Sequence, residues 1–258
     1  YLNLLLDSLP KIDDIIGAFN PHVIGISLFS QNLHLSQRFI ETIHDLQPAT
    51  PIVIGGPHVS LSPDKAVSEV LAWPGVRTIV RGEAENDIGK IINGVLNDTA
   101  EKIFNCHAVD LLCYKRPNFM SFIGGEDLET YPIQLSRGCP YQCVFCNIAK
   151  LAGRRFRKRD IADCIDEIQE ASHRYKKLRH VKVTDDAPNC IESRFDEFLE
   201  KYIAQEFQPR LEVMQLRADH LTSKSCQLLK KAGQSFICIG VESADPKILA
   251  GVTKGETV

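Results

Sequence analysis

No stretch of the 258 residues approaches the roughly 18 uninterrupted apolar residues that a membrane-spanning helix requires. The start, YLNLLLDSLPKIDD, lacks the basic segment and small-residue cleavage site of a secretory signal. Charge of either sign is scarce in excess: the formal net charge is -3, which argues against a wide nucleic-acid surface and leaves only a local basic run from Lys150 to Arg159. Internal repeats and low-complexity segments are missing. A disulfide framework is missing too, because nine cysteines, an odd number, are scattered through a chain too long to need such staples. These absences together predict a soluble, cytoplasmic protein in a reducing compartment, with no membrane partner. The sequence opens inside an apolar pattern and closes on GVTKGETV just after a strand and a helix start, so both ends read as cut.

What is present is ordinary globular material, 44% hydrophobic and 24% charged, enough for one large or two medium cores. From Pro10 to about Leu96, short β-branched runs closed by turn residues alternate with helical patterns. HVIGISLF (22–29), PIVIGG (51–56) and VRTIVRG (76–82) read as strands. Leu35, Phe39, Ile43 and Leu46, then Ile88, Ile91, Ile92 and Val95, recur at helical spacing. Such alternation predicts a doubly wound parallel sheet, a Rossmann-like domain over residues 1–100. Periodicity dissolves between Asn97 and Thr130, so residues 101–130 read as a linker.

A second alternating series occupies residues 131–258. Strands are expected at YPIQLS, HVKVTD, LEVMQLRAD and FICIGVES, with helices from Asp160, Arg194 and Thr222 and a fourth opened by Asp245 and Pro246. Gly233 stands where a helix C-terminus favours glycine. Successive strand and helix units predict part of a (βα) barrel, whose chemistry lies at the carboxyl ends of the strands. Cys164 and Cys238 sit in apolar patterns and read as small core residues, and Cys106, Cys113, Cys190 and Cys226 receive the same reading.

The loop after the first strand of this series carries RGCPYQCVFC, with Cys139, Cys143 and Cys146 at offsets of four and three. Thiolates favour zinc, copper(I) or iron–sulfur clusters. Zinc takes four ligands, and no further Cys or His follows before Cys164, which lies in a helical pattern. A 4Fe-4S cluster that only carries electrons uses four thiolates, so three would leave one iron open to a small molecule. The arrangement Cys139, Cys143, Phe145, Cys146, preceded by SRG and followed by Asn147, resembles the CxxxCxΦC signature of the radical S-adenosylmethionine (radical SAM) superfamily. The resemblance implies that the three cysteines hold a 4Fe-4S cluster, that its open iron chelates SAM, and that reductive cleavage yields a 5′-deoxyadenosyl radical. It further implies that Phe145 contacts adenine and that Glu242, Arg217 and Asp185 (or Asp186), at strand ends, contribute polar contacts to SAM. No catalytic residue beyond the cofactor ligands is implied. The basic run KLAGRRFRKRD reads as a solvated approach to the Asp160 helix, as a source of an arginine for SAM's carboxylate or an anionic substrate, or as a phosphate-tracking surface.

The first domain is similar in its successive segments, NPHVIGISLFSQN, PIVIGGPHVSLSP and VRGEAEND, to the cobalamin-binding domain that precedes many radical SAM enzymes. By that resemblance Ser27, Ser30, Gly55, Gly56 and His58 line the cobalamin, the glycines letting backbone approach a bulky ligand. The histidine of the DxHxxG motif found in many cobalamin proteins has no counterpart, because NPHVIG begins with Asn20 and places His22 before a strand.

The expected function is therefore cobalamin-dependent methyl transfer to, or radical rearrangement of, an unreactive carbon in a small molecule or peptide. An electron donor such as flavodoxin or ferredoxin is the expected partner, and nucleic acid is not. Two other readings stand beside it. A methylthiotransferase would carry a second cysteine-ligated cluster in its first domain, and residues 1–105 contain no cysteine. A non-catalytic cobalamin or iron–sulfur sensor would have a fully thiolate-ligated cluster, for which Cys190 is the available fourth thiol.

Overall fold

The β-branched runs of the first hundred residues pair into a sheet. The structure is a computed structural model that describes residues 9–256, and it divides into two units with the break between Val109 and Asp110. In the first unit, β1 (Ile24–Ser27), β2 (Ile52–Gly55), β3 (Val76–Arg81) and β4 (Ile103–Asn105) form, among the described residues, a parallel sheet in that order. The helices between and around them are α1 (Leu9–Phe19), α2 (Leu33–Leu46), α3 (Pro57–Leu61), α4 (Asp64–Leu71) and α5 (Ile88–Leu96).

Strand alternation sends Ile52, Ile54 and Ile79 to one face, where they pack with Ile12 and Ile16 of α1, Ile40 and Ile43 of α2, and Val67 and Val70 of α4. Val53 and Val80 point the other way, onto Ile91 and Val95 of α5. Each fully buried isoleucine is worth roughly 1.5–3 kcal/mol, so burial on both faces, rather than the propensity of four-residue strands, holds this sheet.

One expectation fails here. The stretch taken as a linker contributes β4, whose backbone pairs with β3 at Ile79, Val80 and Arg81. The three-residue strand Ile103–Asn105 carries too few apolar residues to show a period, and its partners are distant in sequence. From Asp110 onward the former linker belongs to the second unit.

The second unit contains β5 (Thr130–Ile133), β6 (Ser136–Arg137), α6 (Ile148–Leu151), β7 (Arg157–Lys158), α7 (Ile161–Arg174), β8 (His180–Val183), α8 (Glu192–Ala204), β9 (Arg210–Val213), α9 (Ser223–Lys231) and α10 (Pro246–Gly251). Strands β5, β8 and β9 run parallel, and the short pair β6 and β7 is antiparallel. One face of the parallel strands, Tyr131, Ile133, Val181, Val183, Leu211 and Val213, is buried against α7 and α8 through Ile165, Ile168, Phe195 and Phe198. The expected caps are in place: Asp160 accepts from the Ala162 and Asp163 amides, Thr222 from Ser225, and Asp245 from Lys247 and Ile248. Gly233 is left-handed at φ 88°.

FICIGVES does not form the fourth strand. A single parallel bridge, Leu216 to Ile239, joins it to the preceding segment. At the edge of β9 the Gln234 side chain takes a strand's place, its Oε1 accepting from the Val213 amide at 2.8 Å and its Nε2 donating to the Val213 carbonyl at 3.1 Å. Cys238, expected in a core, is consequently exposed, as are Cys113 and Cys226, while Cys106 and Cys190 are half-buried; Cys164 is fully buried as expected. Among the described residues no helix is long and apolar enough to cross a membrane.

Candidate functional site

In the first unit, the residues expected to line a cofactor converge at the carboxyl ends of β1 and β2. Ser27 ends β1 and Gly55 ends β2, joined by the Leu28 amide donating to the Gly55 carbonyl at 2.8 Å. The His58 amide returns to the Leu28 carbonyl at 3.0 Å, and the His58 Nδ1 lies 3.0 Å from Ser30 Oγ. His58 is buried, whereas Ser27 and Ser30 are exposed. His22 lies before β1, at the opposite end of the strand from this group.

Gly56 also meets a demand of the fold itself. At φ 99° it sits where L-residues rarely go, and a Cβ built on it would lie 2.5 Å from Ser27 Oγ and 2.7 Å from the Leu28 nitrogen. The bare glycine accommodates the neighbouring loop, and Gly55, whose Cβ would meet only the Val80 carbonyl at an ordinary 3.7 Å, imposes no such demand. Gly56→Ala is expected to destabilise the first unit by at least about 2 kcal/mol in urea unfolding, strain and clash acting together. A change within about 0.5 kcal/mol would contradict this account.

In the second unit, the cysteine loop leaves β6 and returns through β7, which pair at Ser136 with Lys158 and Arg137 with Arg157. Gly138, at φ 89°, admits this narrow neck: a Cβ there would lie 2.5 Å from the Arg155 carbonyl. The Cys139 amide donates across the neck to the Gly153 carbonyl at 3.2 Å, and the Gly138 amide to Asp186 Oδ2 at 3.0 Å. Cys139, Cys143 and Cys146 are all half-buried. Burial pushes the Cys139 thiol up, the Tyr141 amide opposes this, and the charges of Cys146 and Cys143 reach it. Among the described residues, no three His, Cys, Asp or Glu side chains gather as ligands of a single metal ion. Phe145 projects from the loop, 53% exposed.

Asp185 lies beneath the loop and not at an open mouth. It is 2% exposed, with Oδ1 accepting from the Leu135 amide at 2.7 Å and Oδ2 from the Ser136 hydroxyl. Burial outweighs these donors and pushes its carboxyl up to about 7. Both oxygens accept from the chain that leads into β6, so Asp185 supports the loop. Arg217 is likewise committed: it is 7% exposed, its Nε and Nη2 grip Asp219 at 3.0 and 2.6 Å, and its guanidinium lies 3.5 Å above the Tyr141 ring. Glu242 stands on a left-handed backbone, φ 59°, with its side chain 35% exposed.

Tyr141, His220 and Asn189 escaped the sequence reading. Tyr141 bonds to His220 Nε2, and His220 Nδ1 lies 3.2 Å from Glu192 Oε1. Asn189, fully buried, holds Arg217 through both its backbone amide and carbonyl. Cys190 is close enough to Cys139 for their charges to interact and is hydrogen-bonded with Tyr141. The basic run divides: Arg154, Arg155 and Lys158 are exposed, but Arg159 is buried, donating to Glu167 at 2.6 Å and Asp163 at 2.5 Å beneath the Tyr114 ring.

Residues 133–258 match the family profile of the Radical SAM superfamily, and residues 1–91 match that of the B12 binding domain. The chain carries a B12-binding domain followed by a radical SAM domain. It is 24% identical over 267 residues to an uncharacterized methyltransferase of Pyrococcus horikoshii, covering 95% of this chain and 57% of the relative. It is also 24% identical over 258 residues to a putative methylthiotransferase of Methanocaldococcus jannaschii, covering 90% and 55%. Its fold superposes on the radical S-adenosylmethionine methyltransferase TsrM of Kitasatospora setae with a TM-score of 0.73 at 17% identity, covering 96% of this chain and 55% of that one. The chain thus spans little more than half the length of these proteins.

The two domains imply a 4Fe-4S cluster, SAM and cobalamin as cofactors. The residues present fit them. Three half-buried thiols in one glycine-necked loop of the radical SAM domain are the donor type and number that a cluster with an open iron would take. In the B12-binding domain the Ser30 hydroxyl and the His58 imidazole meet beside Ser27 and Gly55, the last residues of β1 and β2, where α/β folds bind ligands.

Proposed function

We propose that the chain belongs to a cobalamin-dependent radical SAM methyltransferase that acts on an unreactive carbon of a small molecule or peptide and draws electrons from a donor such as flavodoxin or ferredoxin. The observation that carries the reading is the CxxxCxΦC loop, closed at its neck on the carboxyl side of β5, in a chain that begins with a B12-binding domain. When bound, the cluster and SAM supply reductive cleavage and cobalamin supplies methyl transfer. Cys139, Cys143 and Cys146 would hold three irons and leave the fourth for the amino and carboxylate groups of SAM. Phe145, exposed on the same loop, would present its ring to adenine, and Glu242 would accept hydrogen bonds from SAM. Ser27, Ser30 and His58 would line the cobalamin, with Gly55 and Gly56 in the backbone beside it. Asp185 and Asp186 fix the loop that bears the thiols.

Anaerobic reconstitution of the full-length protein tests this. Bound cobalamin, a cluster whose EPR spectrum shifts with SAM, and release of 5′-deoxyadenosine are the expected results. A cluster spectrum indifferent to SAM would overturn the reading.

A second reading has one observation in its favour: the position of Cys190 beside Cys139 and Tyr141. As a fourth thiolate it would close the cluster and make the protein a sensor. Cys190→Ala leaves the SAM response of the spectrum unchanged if the enzyme reading holds, and creates that response if the sensor reading does. The methylthiotransferase reading is favoured by one relative's name but opposed by the lack of cysteine in residues 1–105.

A further inference from the structure

Lys254 holds an ammonium group almost out of water, at 6% exposure, and a buried ammonium persists only where partners replace its hydration. Its Nζ donates to the Gly240 carbonyl and lies 3.3 Å from Glu242 Oε1 and 3.1 Å from Glu256 Oε2. Gly240 makes room for the pair: a Cβ built there would lie 2.6 Å from Glu242 Oε1 and 2.8 Å from Lys254 Nζ. The left-handed backbone at Glu242 is a conformation that persists only where surrounding contacts impose it.

The residues around Lys254 are tied to the cysteine loop. The Val144 amide donates to the Val252 carbonyl at 3.1 Å, and Thr253 Oγ1 donates to the Gln142 carbonyl at 2.7 Å. Arg217 Nη2, over Tyr141, donates to the Lys254 carbonyl at 3.0 Å. One short segment therefore connects the thiol-bearing loop, Arg217 and Glu242.

We infer that Lys254 is a positioning residue for SAM: it holds Glu242 Oε1, fixes the direction of that carboxylate relative to the cysteine loop, and leaves Oε2 to accept from the ammonium or ribose hydroxyls of SAM. The inference rests on the reading of Glu242 as a SAM contact. Lys254 also faces the buried Glu256 carboxylate, whose other oxygen lies 3.6 Å from Arg217 Nη2.

The test is a SAM titration of the reduced cluster in the full-length reconstituted protein, read by EPR. Lys254→Met should keep its iron and sulfide content and require roughly tenfold more SAM for the spectral shift, with Lys254→Arg restoring it to within about threefold. Gly240→Ala, which displaces the pair without altering a charge, should weaken SAM to a similar degree and serves in place of Lys254→Met should that variant lose its fold. Glu242→Gln should also weaken SAM, and combining it with Lys254→Met should add little, since the two act as one unit. Wild-type titrations for Lys254→Met and Gly240→Ala alongside a weakened Glu242→Gln would overturn the role of Lys254 alone. A wild-type titration for Glu242→Gln would overturn the SAM reading of Glu242, and the role of Lys254 with it.

Discussion

Alanine at any one of Cys139, Cys143 or Cys146 is expected to abolish the iron–sulfur chromophore and to reduce SAM cleavage by more than about a thousandfold, because two thiolates cannot retain a cluster whose remaining position belongs to SAM. Iron and sulfide analysis after anaerobic reconstitution reads the first effect and 5′-deoxyadenosine release the second. The other cysteines supply the contrast. Cys164 is fully buried among Ile161, Ile165 and Ile168, where burial pushes its thiol up to about 12. Its replacement by alanine leaves the cluster intact and costs about 1 kcal/mol in packing. Exposed Cys113, Cys226 and Cys238 should tolerate alanine with no effect on either measurement. A cluster retained at full iron content in a Cys139, Cys143 or Cys146 variant would show that another thiol takes over, and Cys190 is the one in position to do so.

The second large effect concerns Asp185 and pH. Its carboxyl, pushed up to about 7 by burial, ionises near 3.9 in an unfolded chain, so the native state binds the extra proton between those values. Stability from this group is fully present below about pH 4 and is lost as pH rises through about 7. At about 1.4 kcal/mol for each pKa unit, the loss amounts to a few kcal/mol. Asp185→Asn imitates the protonated form, since an amide oxygen can accept from the Leu135 amide while its nitrogen donates to Ser136 Oγ. The variant should match wild type in urea unfolding near about pH 3.5, where both states of wild type are protonated, and exceed it by a few kcal/mol at about pH 8. A difference that stays constant between the two pH values would show that Asp185 does not titrate in this window.

The sequence made the alternation of strands and helices readable because each buried strand concentrates β-branched residues and three helices of the second unit, α7, α9 and α10, begin at a side chain that caps them. Asp160, Thr222 and Asp245 are local signals, and local signals survive without tertiary information. FICIGVES has the composition of a strand, yet a strand also needs a paired neighbour, and Gln234 occupies the edge of β9. Arg159 reads as one of a solvated cationic run, because Glu167 and Tyr114, which bury it, lie eight and forty-five residues away along the chain. The sequence put Cys139, Cys143 and Cys146 in one loop, as the structure does. Lys254 was not, since its partners Gly240 and Glu242 lie across a helix and nothing within TKGE marks the pairing.

The neck formed by β6 and β7 bears on how the iron arrives. Drawing together the ends of a free loop of about 19 residues, the length between β6 and β7, costs on the order of 3 kcal/mol. Here Gly138, Asp186 and the two short strands have closed the ends during folding. Metal loading then fills a frame whose mouth is already set, so the iron affinity of the empty protein should hold up in dilute scaffold donors, and its assembly should be governed by delivery of iron and sulfide rather than by the slow search of a floppy chain.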